Sequence, residues 1–189
     1  MYEEIIIAGS GGQGIMFFGN LLCSIAVSQN KHTTFFPSYG AEIRGGTVNC
    51  SIIISDDEIG SPVIVSPSVL IVLNEQSYNR FFPKLKKDGL LFVNSSLVYS
   101  KSFATSEPTW SELPSPQRGQ VGAIYVPATE ISSQIGDVRA ANMVMLGKFI
   151  TVTKMFSIDA VSDIIKSVLE NKKSILDVNL SAFMRGTKL

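Results

Sequence analysis

The sequence has no excess of charge of either sign. Its 189 residues include 16 Lys or Arg and 16 Asp or Glu, so the formal net charge at pH 7 is zero when the histidine is neutral. Proteins that bind nucleic acid or anionic membranes usually carry a basic excess. The composition therefore argues against nucleic acid and against a membrane surface as partners.

Long apolar runs are also missing. The first apolar stretch, residues 5–8, is far shorter than the roughly 18 residues that a transmembrane helix needs. Residues 1–4 before it contain no basic side chain, whereas a signal peptide begins with a basic region. We therefore expect a cytoplasmic protein without a membrane span.

Cysteine and histidine are scarce. The two cysteines, Cys23 and Cys50, are too far apart for a metal-binding spacing or a disulfide framework. Each lies among apolar residues, which favours two small buried core side chains. The single histidine, His32, lies at the start of a predicted strand, away from the presumed site, and we assign it a structural role. We predict no metal ligands and no catalytic residues in this chain.

Glycine, by contrast, is concentrated near the amino terminus. Residues 5–14 have the sequence Ile-Ile-Ile-Ala-Gly-Ser-Gly-Gly-Gln-Gly. The aliphatic run predicts a strand buried on both faces, and the glycines predict a tight turn. Residues 15–30 predict a helix because they lack proline and carry little charge. Strand, turn and helix in this order open an α/β sheet, in which ligands bind beyond the carboxyl ends of the strands.

The rest of the chain alternates strands with helices. This pattern predicts a single three-layer, Rossmann-like α/β domain over residues 1–189, with a mainly parallel sheet and helices on both faces. A hairpin between residues 47–55 and 59–65 would add an antiparallel portion. Further strands are predicted at residues 32–37, 69–73, 90–94 and 123–126, and further helices at residues 75–82, 128–135, 139–154, 157–171 and 174–184.

The first predicted helix is apolar around most of its circumference. Its polar residues Asn20, Ser24 and Ser28 repeat every four positions and form one narrow stripe. A helix of this kind is buried on more than one side. Either its own domain or a partner protein could cover the second side.

Residues 99–122 interrupt the alternation of strands and helices. They are rich in Ser, Thr and Pro and contain the only tryptophan, Trp110. We interpret this segment as a loop-like insertion. Trp110 would either anchor it on the domain or meet a partner.

Gly9, Gly11 and Gly14 match the dinucleotide-binding pattern G-x-G-x-x-G. That pattern predicts a pyrophosphate at the helix amino terminus and an acidic residue about 20 residues further on, which binds the ribose. No acid is present where the second strand should end, and the first acid after the motif is Glu42. A free-standing NAD-dependent dehydrogenase is therefore disfavoured. A module that binds a nucleotide or CoA phosphate remains an alternative.

A second glycine-rich segment, residues 38–46, follows the second predicted strand. It should leave that strand at the same edge of the sheet as the first glycine turn. Conformational demands explain its glycines, and its acid and base could pair with each other or with the backbone. The functional interpretation is that the two glycine segments form one contact surface. The predicted contact residues are Gly11, Gly12, Gln13, Gly14, Ser38, Tyr39, Gly40, Glu42, Arg44, Gly45 and Gly46.

Three segments taken together resemble one family. They are residues 9–14, residues 37–47 with the sequence Pro-Ser-Tyr-Gly-Ala-Glu-Ile-Arg-Gly-Gly-Thr, and Ala141-Asn142-Met143. In order and spacing they resemble the gamma subunit of the 2-oxoacid:ferredoxin (or flavodoxin) oxidoreductases, and the similarity runs from the first strand to the last helix. The second segment is most similar to the 2-oxoglutarate branch. The pyruvate and branched-chain 2-oxoacid branches remain open.

The resemblance implies that the chain works inside a larger complex. Complexes of this family oxidatively decarboxylate a 2-oxoacid to its acyl-CoA and pass the electrons to ferredoxin or flavodoxin. The resemblance implies alpha, beta and delta partner subunits, and thiamine diphosphate, Mg²⁺, iron–sulfur clusters and CoA in the assembled complex. This chain has two cysteines, whereas a cubane cluster needs four thiolates, and it lacks the thiamine diphosphate motif. It is therefore expected to bind no redox cofactor and to be inactive alone, while its contact residues shape the substrate or CoA side of a site or the subunit interface.

Two features depart from the family pattern. The family usually has proline where Ala41 stands, which predicts a less rigid loop in this chain. Residues 99–122 match poorly, so the resemblance does not imply a conformation for the insertion.

Overall fold

The computed structural model describes residues 1–39, 47–98 and 122–189. A six-stranded sheet with the strand order β2-β3-β1-β4-β5-β6 lies at its centre. This arrangement confirms the predicted α/β architecture. The strands are β1 Tyr2–Ser10, β2 His32–Tyr39, β3 Thr47–Ser55, β4 Val69–Val72, β5 Leu90–Asn94 and β6 Gly122–Val126.

Five strands run in the same direction, and β3 runs against them. The pairs β1–β4, β4–β5 and β5–β6 are parallel, whereas β3 is antiparallel to both β1 and β2. The sheet is therefore mainly parallel with an antiparallel portion, as predicted. Ser10 at the end of β1 pairs with Thr47 at the start of β3, and Tyr39 at the end of β2 pairs with Val48. The ends of β1 and β2 thus lie at one edge, which we call the carboxyl edge of the sheet.

The predicted source of the antiparallel portion was wrong. Residues 59–65 form no strand in the structure, and β3 pairs instead with β2 and β1. Pro62 lacks the N–H that a ladder hydrogen bond requires. Val63 and Val65 are 67% and 78% exposed, and Ile64 between them packs on the smaller core without joining the sheet.

The predicted helices are present, with small shifts at their ends. The helix predicted at residues 139–154 begins with a 3₁₀ turn, Val138–Ala140, before the α-helix starts. A second 3₁₀ turn, Phe82–Lys84, contains Pro83. Ser157 caps its helix as predicted by accepting a hydrogen bond from Ala160 N. The helices are α1 Ile15–Ser28, α2 Glu75–Phe81, α3 Ala128–Ile135, α4 Ala141–Thr153, α5 Ile158–Leu169 and α6 Lys173–Gly186.

Helices cover both faces of the sheet, which gives the three predicted layers. Alternate residues of β1 point to opposite faces, so Ile5 and Ile7 join the larger apolar core and Ile6 and Ala8 join a smaller one. The larger core lies under α1, α3, α4, α5 and α6. The smaller core contains Phe81 of α2. Among the described helices, none is long and apolar enough to cross a membrane.

Helix α1 packs closely on the antiparallel part of the sheet. A Cβ atom at Gly19 would lie 2.6 Å from Cys50 Sγ and 2.7 Å from the ring of Phe35. Glycine therefore allows the helix axis to approach β3 and β2. Cys50 is fully buried and Cys23 half-buried, in agreement with their predicted core role. The domain itself covers most apolar residues of α1, although Val27 is 60% exposed.

Helices α4 and α6 touch through their backbones. A Cβ atom at Gly147 would lie 2.2 Å from the Phe183 carbonyl oxygen, and one at Gly186 would lie 2.1 Å from the Val144 carbonyl oxygen. Two facing glycines remove the side chains that normally separate packed helices. This contact with α6 positions α4, whose amino terminus lies beside the first glycine turn.

Candidate functional site at the carboxyl edge

The glycine turn between β1 and α1 is open on its outer side. Gly11 and Gly12 are exposed, and no atom of residues 1–39, 47–98 and 122–189 lies within 4 Å of the Cβ that either residue could carry. Gly12 and Gly14 have φ angles of 92° and 69°, a left-handed conformation that side chains other than glycine rarely adopt. The turn therefore presents bare backbone at the carboxyl edge.

Helix α1 begins without a side-chain cap. Gly14 occupies the cap position, and in the part of the chain that the structure describes no side chain caps the helix. The first turn also contains no acidic residue. A helix amino terminus carries partial positive charge and favours anions. The start of α1 is therefore suited to an anionic group of a ligand or of a partner.

The Gln13 side chain, a predicted contact, is engaged within the chain. Its Oε1 accepts hydrogen bonds from Ser10 N at 2.7 Å, Ser10 Oγ at 3.1 Å and Asn74 Nδ2 at 3.4 Å. Its Nε2 donates to the Leu73 carbonyl oxygen at 3.2 Å. These bonds join the end of β1 to the residues that follow β4. We call Gln13 and Asn74 with these hydrogen bonds the amide clamp.

Asn142 holds the other end of the turn. Its Nδ2 donates to the Gly14 carbonyl oxygen at 3.1 Å, and a Cβ at Gly14 would lie 2.2 Å from this nitrogen. The residue is 3% exposed, and its Oδ1 has no hydrogen-bond partner in the described part of the chain. Asn142 belongs to the third of the segments that resemble the family, but it is not among the predicted contact residues.

A pocket of about 270 Å³ opens beside Gly12 and Gly14. Arg139 and Lys172 bring positive charge to its wall, and Phe17 brings an aromatic surface. Asp137 also lines it and binds the Arg139 guanidinium through hydrogen bonds of 2.7–3.1 Å. This pairing lowers the pKa of Asp137 to about 2 and raises that of Arg139. Because Arg139 is paired with Asp137, the charge that the pocket wall offers to a small anionic ligand is that of Lys172.

The end of β2 lies at the same edge, as predicted for the second glycine segment. Tyr39 is 68% exposed and Ser38 is half-buried. Arg80 Nη1 donates to Thr47 Oγ1 at 2.7 Å, which holds the start of β3. Five predicted contacts, together with the possible Glu42–Arg44 pairing and residues 99–121 of the predicted insertion with Trp110, lie outside the described residues. The five contacts are Gly40, Glu42, Arg44, Gly45 and Gly46.

Sequence reasoning missed the amides that surround the turn. Asn74 lies two residues after the end of β4 and Asn94 is the last residue of β5, and both positions belong to the carboxyl ends of buried strands, where ligands bind in α/β sheets. Asn94 is fully buried and donates to the Leu73 carbonyl oxygen at 3.2 Å and to Thr129 Oγ1 at 2.9 Å. Their positions at the carboxyl ends of two predicted strands could have identified these asparagines as site residues.

The two thiols lie where α1 packs on β2 and β3, and burial disfavours their thiolate forms. Burial raises the pKa of Cys50 to about 12, and the nearby Cys23 adds to this shift. Burial also raises the pKa of Cys23. In residues 1–39, 47–98 and 122–189, no three His, Cys, Asp or Glu side chains are grouped so that they could hold a metal ion.

Comparison with known proteins extends over nearly the whole chain. The family model for pyruvate ferredoxin/flavodoxin oxidoreductase matches residues 4–189. The ketoisovalerate oxidoreductase subunit VorA of Methanothermobacter thermautotrophicus is 35% identical over 187 residues, which cover 98% of this chain and 36% of that protein. The present chain therefore spans about a third of the length of this relative.

In two further comparisons, the match covers almost the whole length of both proteins. The 2-oxoglutarate synthase subunit KorC of Methanocaldococcus jannaschii is 30% identical over 98% of this chain and 92% of its own length. The crystal structure of a keto/oxoacid ferredoxin oxidoreductase gamma subunit from Geobacter sulfurreducens matches with a TM-score of 0.77 and 26% identity, over 98% of this chain and 96% of that one. These matches confirm the resemblance that the glycine segments predicted, and the chain belongs to the pyruvate ferredoxin/flavodoxin oxidoreductase family.

Proposed function

We propose that this chain is the gamma-type subunit of a cytoplasmic 2-oxoacid:ferredoxin (or flavodoxin) oxidoreductase. The complex would oxidatively decarboxylate a 2-oxoacid to its acyl-CoA and pass the electrons to the acceptor protein. The observation that carries this proposal is the match with a solved gamma subunit over 98% of this chain and 96% of that one. Alpha, beta and delta subunits would hold thiamine diphosphate, Mg²⁺ and the iron–sulfur clusters, and CoA would enter the assembled complex.

In this role the chain contributes a surface rather than a reacting group. The open turn at Gly11 and Gly12 and the exposed ring of Tyr39 lie at one edge. Bare backbone and an aromatic side chain suit close contact with a neighbouring subunit or with the substrate or CoA side of its site.

The 2-oxoacid itself is assigned by similarity. The second glycine segment favours 2-oxoglutarate, and the KorC match is 30% identical. The VorA match is 35% identical and favours a branched-chain substrate. We propose 2-oxoglutarate, with 3-methyl-2-oxobutanoate and pyruvate as the substrates to compare.

The pocket beside the turn supports a second candidate function. Arg139 and Lys172 line it next to the uncapped start of α1, so the isolated chain could bind a nucleotide or CoA phosphate. Calorimetry with CoA, ADP and inorganic phosphate separates this binding from a purely structural role. A heat of binding with CoA that is smaller for Lys172→Ala supports a phosphate site. The absence of a heat of binding with all three ligands excludes it.

The main proposal is tested by reconstitution. The complex is purified with and without this chain, and CoA-dependent reduction of ferredoxin is measured with each of the three 2-oxoacids. We expect no activity from the isolated chain, activity from the full complex and a loss of at least about 90% without the chain. Full activity in a complex that lacks this chain would refute the proposal.

A further inference from the structure

Gly9, the first glycine of the motif, leaves room for the side chain of Gln13 in the same protein. A Cβ at Gly9 would lie 2.6 Å from Gln13 Oε1. In the dinucleotide-binding pattern, the glycines permit a tight turn and close approach of the backbone to pyrophosphate. Here Gly9 provides the space into which Gln13 folds back, and Gly14 provides space for Asn142. Gly11 and Gly12 are the two glycines of the turn that stay open to the outside.

The amide clamp fixes the path of the backbone between these glycines. Gln13 uses both ends of its carboxamide, on Ser10 N and Asn74 Nδ2 at one end and on the Leu73 carbonyl oxygen at the other. A turn with glycines at φ 92° and 69° has wide conformational freedom. Hydrogen bonds to two neighbouring strand ends remove that freedom.

We propose that Gln13 and Asn74 are positioning residues, which hold Gly11 and Gly12 in the conformation that meets the ligand or partner at the carboxyl edge. This inference rests on the proposed function. It also reassigns Gln13, because its side chain shapes the turn from inside while the backbone of Gly11 and Gly12 makes the outer contact.

Asn74 allows the clamp to be tested separately from folding. Its Oδ1 caps α2 by accepting a hydrogen bond from Ser77 N at 2.9 Å, while its Nδ2 donates to Gln13. Asn74→Ser keeps a good cap and removes the Nδ2 amide that donates to Gln13. Gln13→Glu keeps the acceptor oxygens and removes the donor to Leu73. Asn20→Ser is the matched control, because Asn20 is exposed on α1 away from the turn.

The first measurement is amide hydrogen exchange of residues 9–14 in the isolated chain. Loss of a hydrogen bond should speed exchange by about three- to tenfold in Asn74→Ser and Gln13→Glu, with no change in Asn20→Ser. The unfolding midpoint of Asn74→Ser should stay close to that of the unsubstituted chain. Unchanged exchange in both clamp variants would show that the clamp does not hold the turn.

The second measurement uses the reconstituted complex. With the clamp released, the KM of CoA or of the 2-oxoacid should rise, or the affinity of the chain for its partners should fall, by about three- to tenfold. Faster exchange without any such change would overturn the positioning role. If the unsubstituted chain proves dispensable for activity, the proposed function fails instead, whatever the exchange rates of the variants show.

Discussion

The close contact between Gly14 and Asn142 predicts that a methyl group added at position 14 destabilises the folded chain. In Gly14→Ala the new Cβ would lie 2.2 Å from Asn142 Nδ2, and φ would remain near 69°. The left-handed conformation costs alanine about 1–2 kcal/mol. Displacing Asn142 breaks its hydrogen bond to the Gly14 carbonyl oxygen and leaves a buried amide unpaired, at a cost of about 1–3 kcal/mol.

The two contributions separate in a double-mutant cycle. Gly14→Ala should lower the free energy of unfolding by about 2–5 kcal/mol, or the Tm by about 4–20 °C. In an Asn142→Ala background the clash is absent, so the same substitution should cost about 1–2 kcal/mol. Urea unfolding of the four proteins, followed by circular dichroism, measures the difference. Equal costs in both backgrounds would show that Asn142 is not the group that excludes a side chain at Gly14.

Three further predictions concern other parts of the molecule. Gly11→Ala should leave stability within about 0.5 kcal/mol, because its Cβ meets nothing within 4 Å, but should weaken assembly or activity of the complex; unchanged assembly and activity would contradict the contact role. Gly147→Ala should cost at least about 2 kcal/mol of unfolding free energy, whereas Gly60→Ala, which also meets nothing within 4 Å, should cost little; equal costs would argue against the close helix contact. Hydrogen bonds from Lys31 and the terminal ammonium lower the pKa of Asp56 to about 2 from 3.8, so its stabilising effect is present above about pH 3.8 and lost as pH falls through 2. Asp56→Asn should lower the Tm more at pH 7 than at pH 2, where the carboxyl is half protonated in the folded chain, and a deficit of equal size at both pH values would contradict this.

Much of the fold follows from local sequence patterns. The aliphatic run at residues 5–8 identifies a strand buried on both faces, and the alternation at residues 47–55 identifies β3 with the observed bounds. Helix α3 also has the predicted bounds, because Gly136 ends it in a left-handed conformation. These patterns are set by residues that are close in sequence, and tertiary packing did not change the elements that they predict. The predicted strands and helix are therefore found in the structure.

The missed features depend on contacts between distant residues. Asn142 and Gly14 are 128 positions apart, and Asn74 and Gln13 are 61 apart. No local pattern specifies that these amides meet at the same turn, since the sheet order brings them together. Residues 59–65 show the converse case, in which a strand-like composition forms no strand because β3 already has a partner on each side.

The backbone contact between α4 and α6 restricts how the carboxyl edge can move. Gly147 and Gly186 place no side chain between the two helices. A side chain at this contact could change its rotamer and let one helix slide past the other, and here there is none to do so. We therefore expect the two helices to shift as one rigid body. Because Asn142 ties this body to Gly14, we expect a displacement of the turn on docking to be transmitted to the residues that follow α6, where Lys148 of α4 donates to an oxygen of Leu189.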